Sequence, residues 1–310
     1  MLNRGRSVIV VTGAGGFLGS RVVPLVRREA RRARVVAVVR RRRVFATSAL
    51  SASDAEVIQG DLRQPYLWQR LPLDVTHVIH LAAVIPRGGR DAQSPSVVLD
   101  NVAPIVHLLQ ASARWPELRH VVYASSVSVY APSRTPLRES SATGPASLYG
   151  AAKLAGEQLL GSLAERGVGV AVLRYSSIYG ARQHPGTVLP LLATRARFGL
   201  PLHVFDARRT QDFVHVDDAA RATWLACRRA ARGAYNVGSG RPISMSILAR
   251  EILAAFDRSG TSRIVIEDAR KSSDPSGIRM NIGRARRVLG FRPRIDLRDG
   301  LSRLAREADA

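Results

Sequence analysis

The feature that most narrows the fold is a junction near the start of the chain. The β-branched run Ser7-Val-Ile-Val-Val-Thr12 passes directly into Gly13-Ala-Gly-Gly-Phe-Leu-Gly19. A continuous apolar strand needs cover on both faces, and a glycine turn lets such a strand hand over to a covering helix. In that arrangement Gly13 permits the tight turn and Gly16 lets the backbone approach a pyrophosphate. Gly19 lets the helix pack on the strand, and free N–H groups at the helix start face the phosphates. The alternation then repeats. Residues 34–39, 55–58, 76–81, 119–124 and 168–173 read as strands, and helices are expected from the glycine turn to about 32, near 97–114 and over 147–166. The expected fold class is α/β, a Rossmann-type doubly wound parallel sheet with ligands at the carboxyl ends of its strands.

After Gly180 the pattern loosens into loop-forming stretches such as Gln183-His-Pro-Gly-Thr187. A dinucleotide-binding domain is expected over 1–180, with 206–240 partly returning to it. A smaller substrate-binding lobe takes the rest of 181–310. Asp212-Phe-Val-His-Val-Asp-Asp218 is read as the segment that rejoins the main sheet.

The formal charge of +23 comes almost entirely from arginine, since Lys153 and Lys271 are the only lysines. The basic residues are scattered, apart from Arg40-Arg41-Arg42-Arg43, and are not interleaved with aromatics. They read as solvated helix faces, and a nucleic-acid partner is not expected. There is no signal-peptide layout and no apolar run long enough to cross a bilayer, so a cytoplasmic protein without a membrane partner is expected. The single cysteine, Cys227, is read as a packing residue. No metal site is expected.

Lysine scarcity sharpens the spacing Tyr149-x-x-x-Lys153. On a helix these two side chains share a face. An ammonium group beside a phenol favours phenolate and lowers its pKa from about 10. Tyr149 is then a candidate general acid toward a carbonyl, or a base in the reverse direction, with the hydroxyls of Ser125 and Ser126 upstream. At the other end of the expected crevice, strand 34–39 runs into Arg40 and Arg41, where an NAD site would carry a carboxylate. A guanidinium there pairs with a 2′-phosphate, so NADP(H) is expected. Asp61 is placed to accept a bond from the adenine amino group. The small residues in His80-Leu81-Ala82-Ala83 let a cofactor lie against backbone, with His80 kept structural.

These motifs, together with Leu173-Arg-Tyr-x-x-x-Tyr-Gly180 and Tyr235-Asn-Val-Gly-Ser-Gly240, resemble those of a known family. It is the extended short-chain dehydrogenase/reductases of the nucleotide-sugar epimerase, dehydratase and ketoreductase group, and the likeness spans essentially the whole chain. The resemblance implies catalytic roles for Ser126, Tyr149 and Lys153. It implies cofactor contacts from Gly13, Gly15, Gly16, Phe17, Leu18, Gly19, Leu62, Leu81, Ala82, Ala83, Asn101, Tyr175 and Ile178, besides Tyr149 and Lys153. It also implies a homodimer built through the helices near 97–114 and 147–166. Substrate contacts fall to Ser125, Ser126, Ser177, Thr187, Arg209 and Lys271. Ser177 and Gln211 replace an asparagine and an arginine usual in the family, which leaves a non-nucleotide carbonyl substrate open.

Dehydratases of the group carry an acid pair directly after the strand hydroxyl, where this chain has Val127 and Ser128. The glutamate of the decarboxylases and the cysteine of the 3,5-epimerases are missing from their places as well. Two activities remain. Arg40 favours an NADPH-dependent 4-ketoreductase acting on a nucleotide-diphosphate keto-deoxysugar, and a nucleotide-sugar 4-epimerase is the alternative. A non-catalytic NADP-binding or nucleic-acid-binding relative has no need of an intact Ser126, Tyr149 and Lys153.

Overall fold

Alternation inside each strand decides which helix covers it. In β1 (Val8–Thr12), Ile9 and Val11 point to one face of the sheet and Val8 and Val10 to the other, and all four are buried. The same split runs through β2 (Arg34–Val39), β3 (Glu56–Gln59), β4 (His77–His80), β5 (His120–Ser126) and β6 (Gly169–Tyr175). The computed structural model describes residues 7–41, 55–86, 90–267 and 277–309.

Between these strands lie α1 (Gly19–Glu29), α2 (Pro65–Gln69), α3 (Arg90–Gln93), α4 (Ser96–Ser112) and α5 (Leu148–Gly161). After β6 come β7 (Ser177–Tyr179), α6 (Val188–Arg197), β8 (Leu202–Phe205), β9 (Thr210–Gln211), β10 (Phe213–His215) and α7 (Val216–Arg228). The remainder is β11 (Gly233–Val237), β12 (Ile243–Ser244), α8 (Met245–Phe256), β13 (Ile264–Glu267) and α9 (Leu297–Asp309).

Seven strands form one sheet in the order β3-β2-β1-β4-β5-β6-β11, and every neighbouring pair in it is parallel. Val22, Val23 and Val26 of α1, with Ala219, Ala222 and Cys227 of α7, cover one face. Leu67 and Trp68 of α2, Ile105 and Leu108 of α4 and Leu160 of α5 cover the other. A parallel sheet buried on both faces is what continuous Val/Ile strands demand.

The segment 212–218, expected to rejoin the main sheet, does not do so. Phe213–His215 pairs instead with Ser177–Tyr179, and the seventh strand of the sheet is β11. The reason is length: three residues of β10 lead at once into α7, whose buried alanines seat it beside α1. A separate apolar cluster joins α6, β8, α8 and α9 through Leu192, Leu202, Leu248, Ile252 and Leu301.

The arginine surplus has a structural use. Arg232 donates to the Gly167 carbonyl at 3.0 Å, Arg221 to that of Arg292 at 2.6 Å and Arg166 to that of Ser112 at 2.8 Å. Each guanidinium ties one element to another by satisfying a carbonyl that helix or sheet leaves open. Among the described residues no helix is long and apolar enough to cross a membrane.

Candidate active site

Where β1 ends, Gly13 turns with φ +67°, a left-handed conformation suited to glycine. A Cβ on Gly13 would lie 2.7 Å from the Ala82 nitrogen, and one on Gly19 would lie 2.2 Å from the Gly13 carbonyl oxygen. The turn is therefore pressed against the segment that leaves β4 on one side and against the start of α1 on the other. Gly19 seats the helix on the turn more than on the strand. Helix α1 begins with no side-chain cap and no acidic residue in its first turn. Gly15 and Gly16 are half-buried and exposed, and Phe17 and Leu18 are half-buried around it. A cradle that any side chain would fill, at the open end of a helix dipole, fits the pyrophosphate of a dinucleotide.

At the adenosine end Arg40 and Arg41 are exposed just past β2. The Asp61 carboxylate accepts three bonds from the Arg63 side chain, at 2.6, 3.0 and 3.1 Å, and one from its backbone N–H at 2.9 Å. Arg63 also donates to Asp100 of α4 at 2.8 Å. The Arg63 hydrogen bond holds the Asp61 carboxyl below its usual range, and the Arg40 charge adds to this. Asp61 is thus already committed, which the expected adenine contact did not anticipate. Leu62 is half-buried and gives its carbonyl to the Trp68 indole.

Leu81 and Ala82 are half-buried and Ala83 is exposed along the crevice wall. Asn101, expected as a cofactor contact, holds that wall instead. Its amide donates to the Val84 carbonyl at 2.9 Å and accepts the Val84 N–H at 3.1 Å, and it is buried. The Tyr175 side chain also turns away from the crevice. It is buried in the sheet core with its hydroxyl 2.7 Å from that of Thr223, and Ile178 packs against the same core. Any contact of Tyr175 with a cofactor is left to its backbone.

Helix α5 meets β5 at the other end. Ser147 caps the helix by accepting the Gly150 N–H at 3.1 Å. A Cβ on Gly150 would come within 2.2 Å of the Ser128 carbonyl oxygen. Glycine there lets the first turn of α5, carrying Tyr149, lie against the turn that follows Ser126. The Ser126 hydroxyl accepts the Ser128 N–H and donates to the Ser128 hydroxyl, both at 3.1 Å. Lys153 is buried, donates to the Ala124 carbonyl at 2.8 Å, and lies 5.0 and 5.7 Å from the ring centres of Tyr123 and Tyr149.

The pairing brings phenol and amine together, but it does not acidify the phenol in the protein alone. Burial pushes the Tyr149 phenol above its ordinary range. Burial also pulls the Lys153 ammonium down to about 7, against a smaller opposing pull from Glu157. Desolvation of both groups in one crevice outweighs their mutual influence. His80 is structural, as expected, although its partner is the Thr12 hydroxyl at 2.9 Å and it stacks between Trp68 and Tyr123.

Ser125 is not available as a substrate contact. It is buried and its hydroxyl donates to the Glu157 carboxylate. Glu157 also receives Arg174 as a two-pronged pair, with bonds of 2.7 and 3.0 Å, and both side chains are buried. Arg174 extends to the Glu139 carbonyl at 3.2 Å and lies over the Tyr130 ring at 4.8 Å. Tyr130 donates to Asn236 at 2.6 Å. Sheet register builds this cluster, because Ser125, Arg174 and Asn236 stand side by side on β5, β6 and β11. None of the cluster but Ser125 was expected at the site. The sequence signal was the spacing 149, 153, 157, which puts Glu157 on the helical face of Tyr149 and Lys153.

On the substrate side, Ser177 and Gln211, the two departures from the family pattern, hydrogen-bond each other. Thr187 gives its hydroxyl to the His184 carbonyl at 2.8 Å, and Arg209 is exposed. Lys271 lies outside the described residues.

A family model, the NAD dependent epimerase/dehydratase family, matches residues 9–238. UDP-glucuronate 4-epimerase 1 of Arabidopsis thaliana is 31% identical over 337 residues, covering 96% of this chain and 76% of its own. The crystal structure of UDP-glucose 4-epimerase with UDP-glucose from Thermotoga maritima superposes with a TM-score of 0.84 at 25% identity, over 97% of this chain and 98% of that one. The structure of MoeE5 in complex with UDP-glucose and NAD gives a TM-score of 0.81 at 30% identity, over 99% and 100% of the two chains.

Proposed function

The chain belongs to the NAD-dependent epimerase/dehydratase family, and from that premise we propose that it is a 4-epimerase of a nucleotide-diphosphate sugar. One observation carries the reading. Among the described residues around the crevice, Tyr149 is the acid–base group left uncommitted, because Glu157 is held by Arg174 and Ser125, Lys153 by the Ala124 carbonyl, and Glu139 accepts the Asn236 N–H at 2.9 Å. One such group suits a reaction in which a single proton leaves and returns at one carbon. Removal of water across neighbouring carbons needs two, and the position after Ser126 holds the buried Val127. The likeness to 4-epimerases of UDP-sugars adds its weight.

In this proposal Gly13, Gly16 and the start of α1 hold the dinucleotide's phosphates. When bound, the dinucleotide supplies first the acceptor and then the donor of the C4 hydride. Tyr149 would act as phenolate, the form that the positive charge of an oxidised nicotinamide and the Lys153 ammonium favour. It would take the proton of the C4 hydroxyl as the ketone forms and return it to the ketone oxygen after the sugar has turned over. Ser126 orients that oxygen. Lys153, anchored on the Ala124 carbonyl, holds the phenol in place and biases its proton transfer. A homodimer through α4 and α5 belongs to the same reading and is supported by Leu99 and Val106, which α4 leaves exposed.

Arg40 favours a second reading, the NADPH-dependent 4-ketoreductase, because a guanidinium past β2 suits a 2′-phosphate. The two part in one assay. An epimerase converts a UDP-hexose to a fixed mixture of 4-epimers with no lasting change at the reduced-nicotinamide absorbance band. A 4-keto sugar nucleotide consuming one NADPH per product, with no exchange of UDP-hexose epimers, would overturn the epimerase.

A further inference from the structure

Outside the crevice, the segment 138–140 and the turns around residues 281–287 enclose a basin of about 410 Å³. Its lining is Arg138, Glu139, Ser140, Asn281, Arg284 and Arg287. We propose that this basin is a second binding site, separate from the catalytic crevice, for a pyrophosphate-bearing anion of nucleoside-diphosphate size.

Three guanidiniums converge here against one carboxylate, and no ion pair engages any of the three among the described residues. One carboxylate oxygen of Glu139 is already taken by the Asn236 N–H. Unrelieved like charge around a concave surface is the arrangement that a multiply charged phosphate ligand compensates, with arginine forks matching its oxygens. A volume of this order suits a small molecule and exceeds what a single phosphate fills.

The walls are built in advance. Leu137 N–H donates to the Arg279 carbonyl at 2.8 Å, and Asn281 N–H donates back to the Leu137 carbonyl at 2.9 Å. Asn236 of β11 clamps both sides by donating to the Leu137 and Asn281 carbonyls at 2.9 and 3.2 Å. Arg284 is fixed over the Tyr235 ring at 4.9 Å. A preformed site avoids much of the ordering cost of binding. The basin also touches the buried cluster, because the Glu139 carbonyl receives Arg174, which grips Glu157.

Calorimetry with inorganic pyrophosphate and with ADP tests the site on protein holding one equivalent of dinucleotide, without UDP, which as a nucleoside diphosphate would fill the basin as well. One saturable site per chain beyond any uptake in the crevice is expected. Arg287→Gln, at an exposed position, and Arg284→Gln should each weaken it about tenfold or more. Arg306→Gln on α9, an equal charge loss elsewhere, should leave it unchanged. Tighter ADP than pyrophosphate marks a nucleotide ligand, and the reverse marks a bare polyphosphate. Absence of saturable uptake, full affinity in both basin variants, or equal weakening by Arg306→Gln overturns the proposal. None of these outcomes depends on whether the enzyme is an epimerase.

Discussion

The two ends of the crevice lie along the same edge of one sheet and are built from opposite materials. At the nicotinamide end, Ser125, Glu157 and Arg174 are buried and joined by hydrogen bonds, and Lys153 is buried on the Ala124 carbonyl. At the adenosine end, Arg40, Asp61 and Arg63 meet the solvent. Charges under water are screened and exchange partners at little cost, whereas charges withdrawn from it must be matched by geometry. The first end therefore carries much of the local stability and, in the proposed function, the chemistry. To the second the proposed function leaves the choice of cofactor.

The largest expected effect breaks the buried end chemically. Tyr149→Phe should lower turnover about 10²- to 10⁴-fold with dinucleotide affinity retained. Turnover near wild type would remove the phenol from the mechanism. Next, Glu157→Ala strands Arg174 and should cost about 3–5 kcal/mol by denaturant unfolding. The double replacement Glu157→Met with Arg174→Leu should recover most of that loss, and a double variant no better than the single one would mean that the pair itself is worth keeping.

Lys153→Met should abolish turnover yet raise the melting temperature of the ligand-free protein, because it removes a buried charge. In the folded protein Lys153 gives up its proton near pH 7, against 10.5 for the ordinary side chain. The unfolded chain thus holds more protons between those values, and wild-type stability rises with pH across that window. The advantage of the methionine variant is greatest below pH 7 and shrinks above it. Melting curves from pH 6 to 10 read this directly, and a constant difference would contradict it.

The exposed end should respond least. Arg40→Ala is expected to lower the kcat/KM preference for the 2′-phosphorylated cofactor about tenfold without changing the melting temperature. Arg63→Ala should cost less than about 1 kcal/mol despite its two carboxylate partners. A larger loss would place the adenosine end among the stability-bearing parts.

Much of the site was legible because its signals are local. The Gly13–Gly19 turn and the spacing of Tyr149 and Lys153 each span a few residues; the turn follows β1 and the pair stands on helix α5, as expected. Asn101 and Tyr175 were misplaced because motif position says nothing of the side chain's direction. One faces its own strand-end loop and the other faces the core. Glu157 was overlooked because its partners, Ser125 and Arg174, are distant in sequence.

The sequence by itself determined the parallel sheet, since unbroken β-branched strands leave no other way to bury both faces. It also determined the glycine turn that joins β1 to α1. The tertiary structure alone decided which polar groups stay free. Whether a hydroxyl, carboxylate or ammonium keeps its ordinary chemistry depends on the water it loses and the partner it gains. Both are set by strand register and helix packing between residues far apart along the chain.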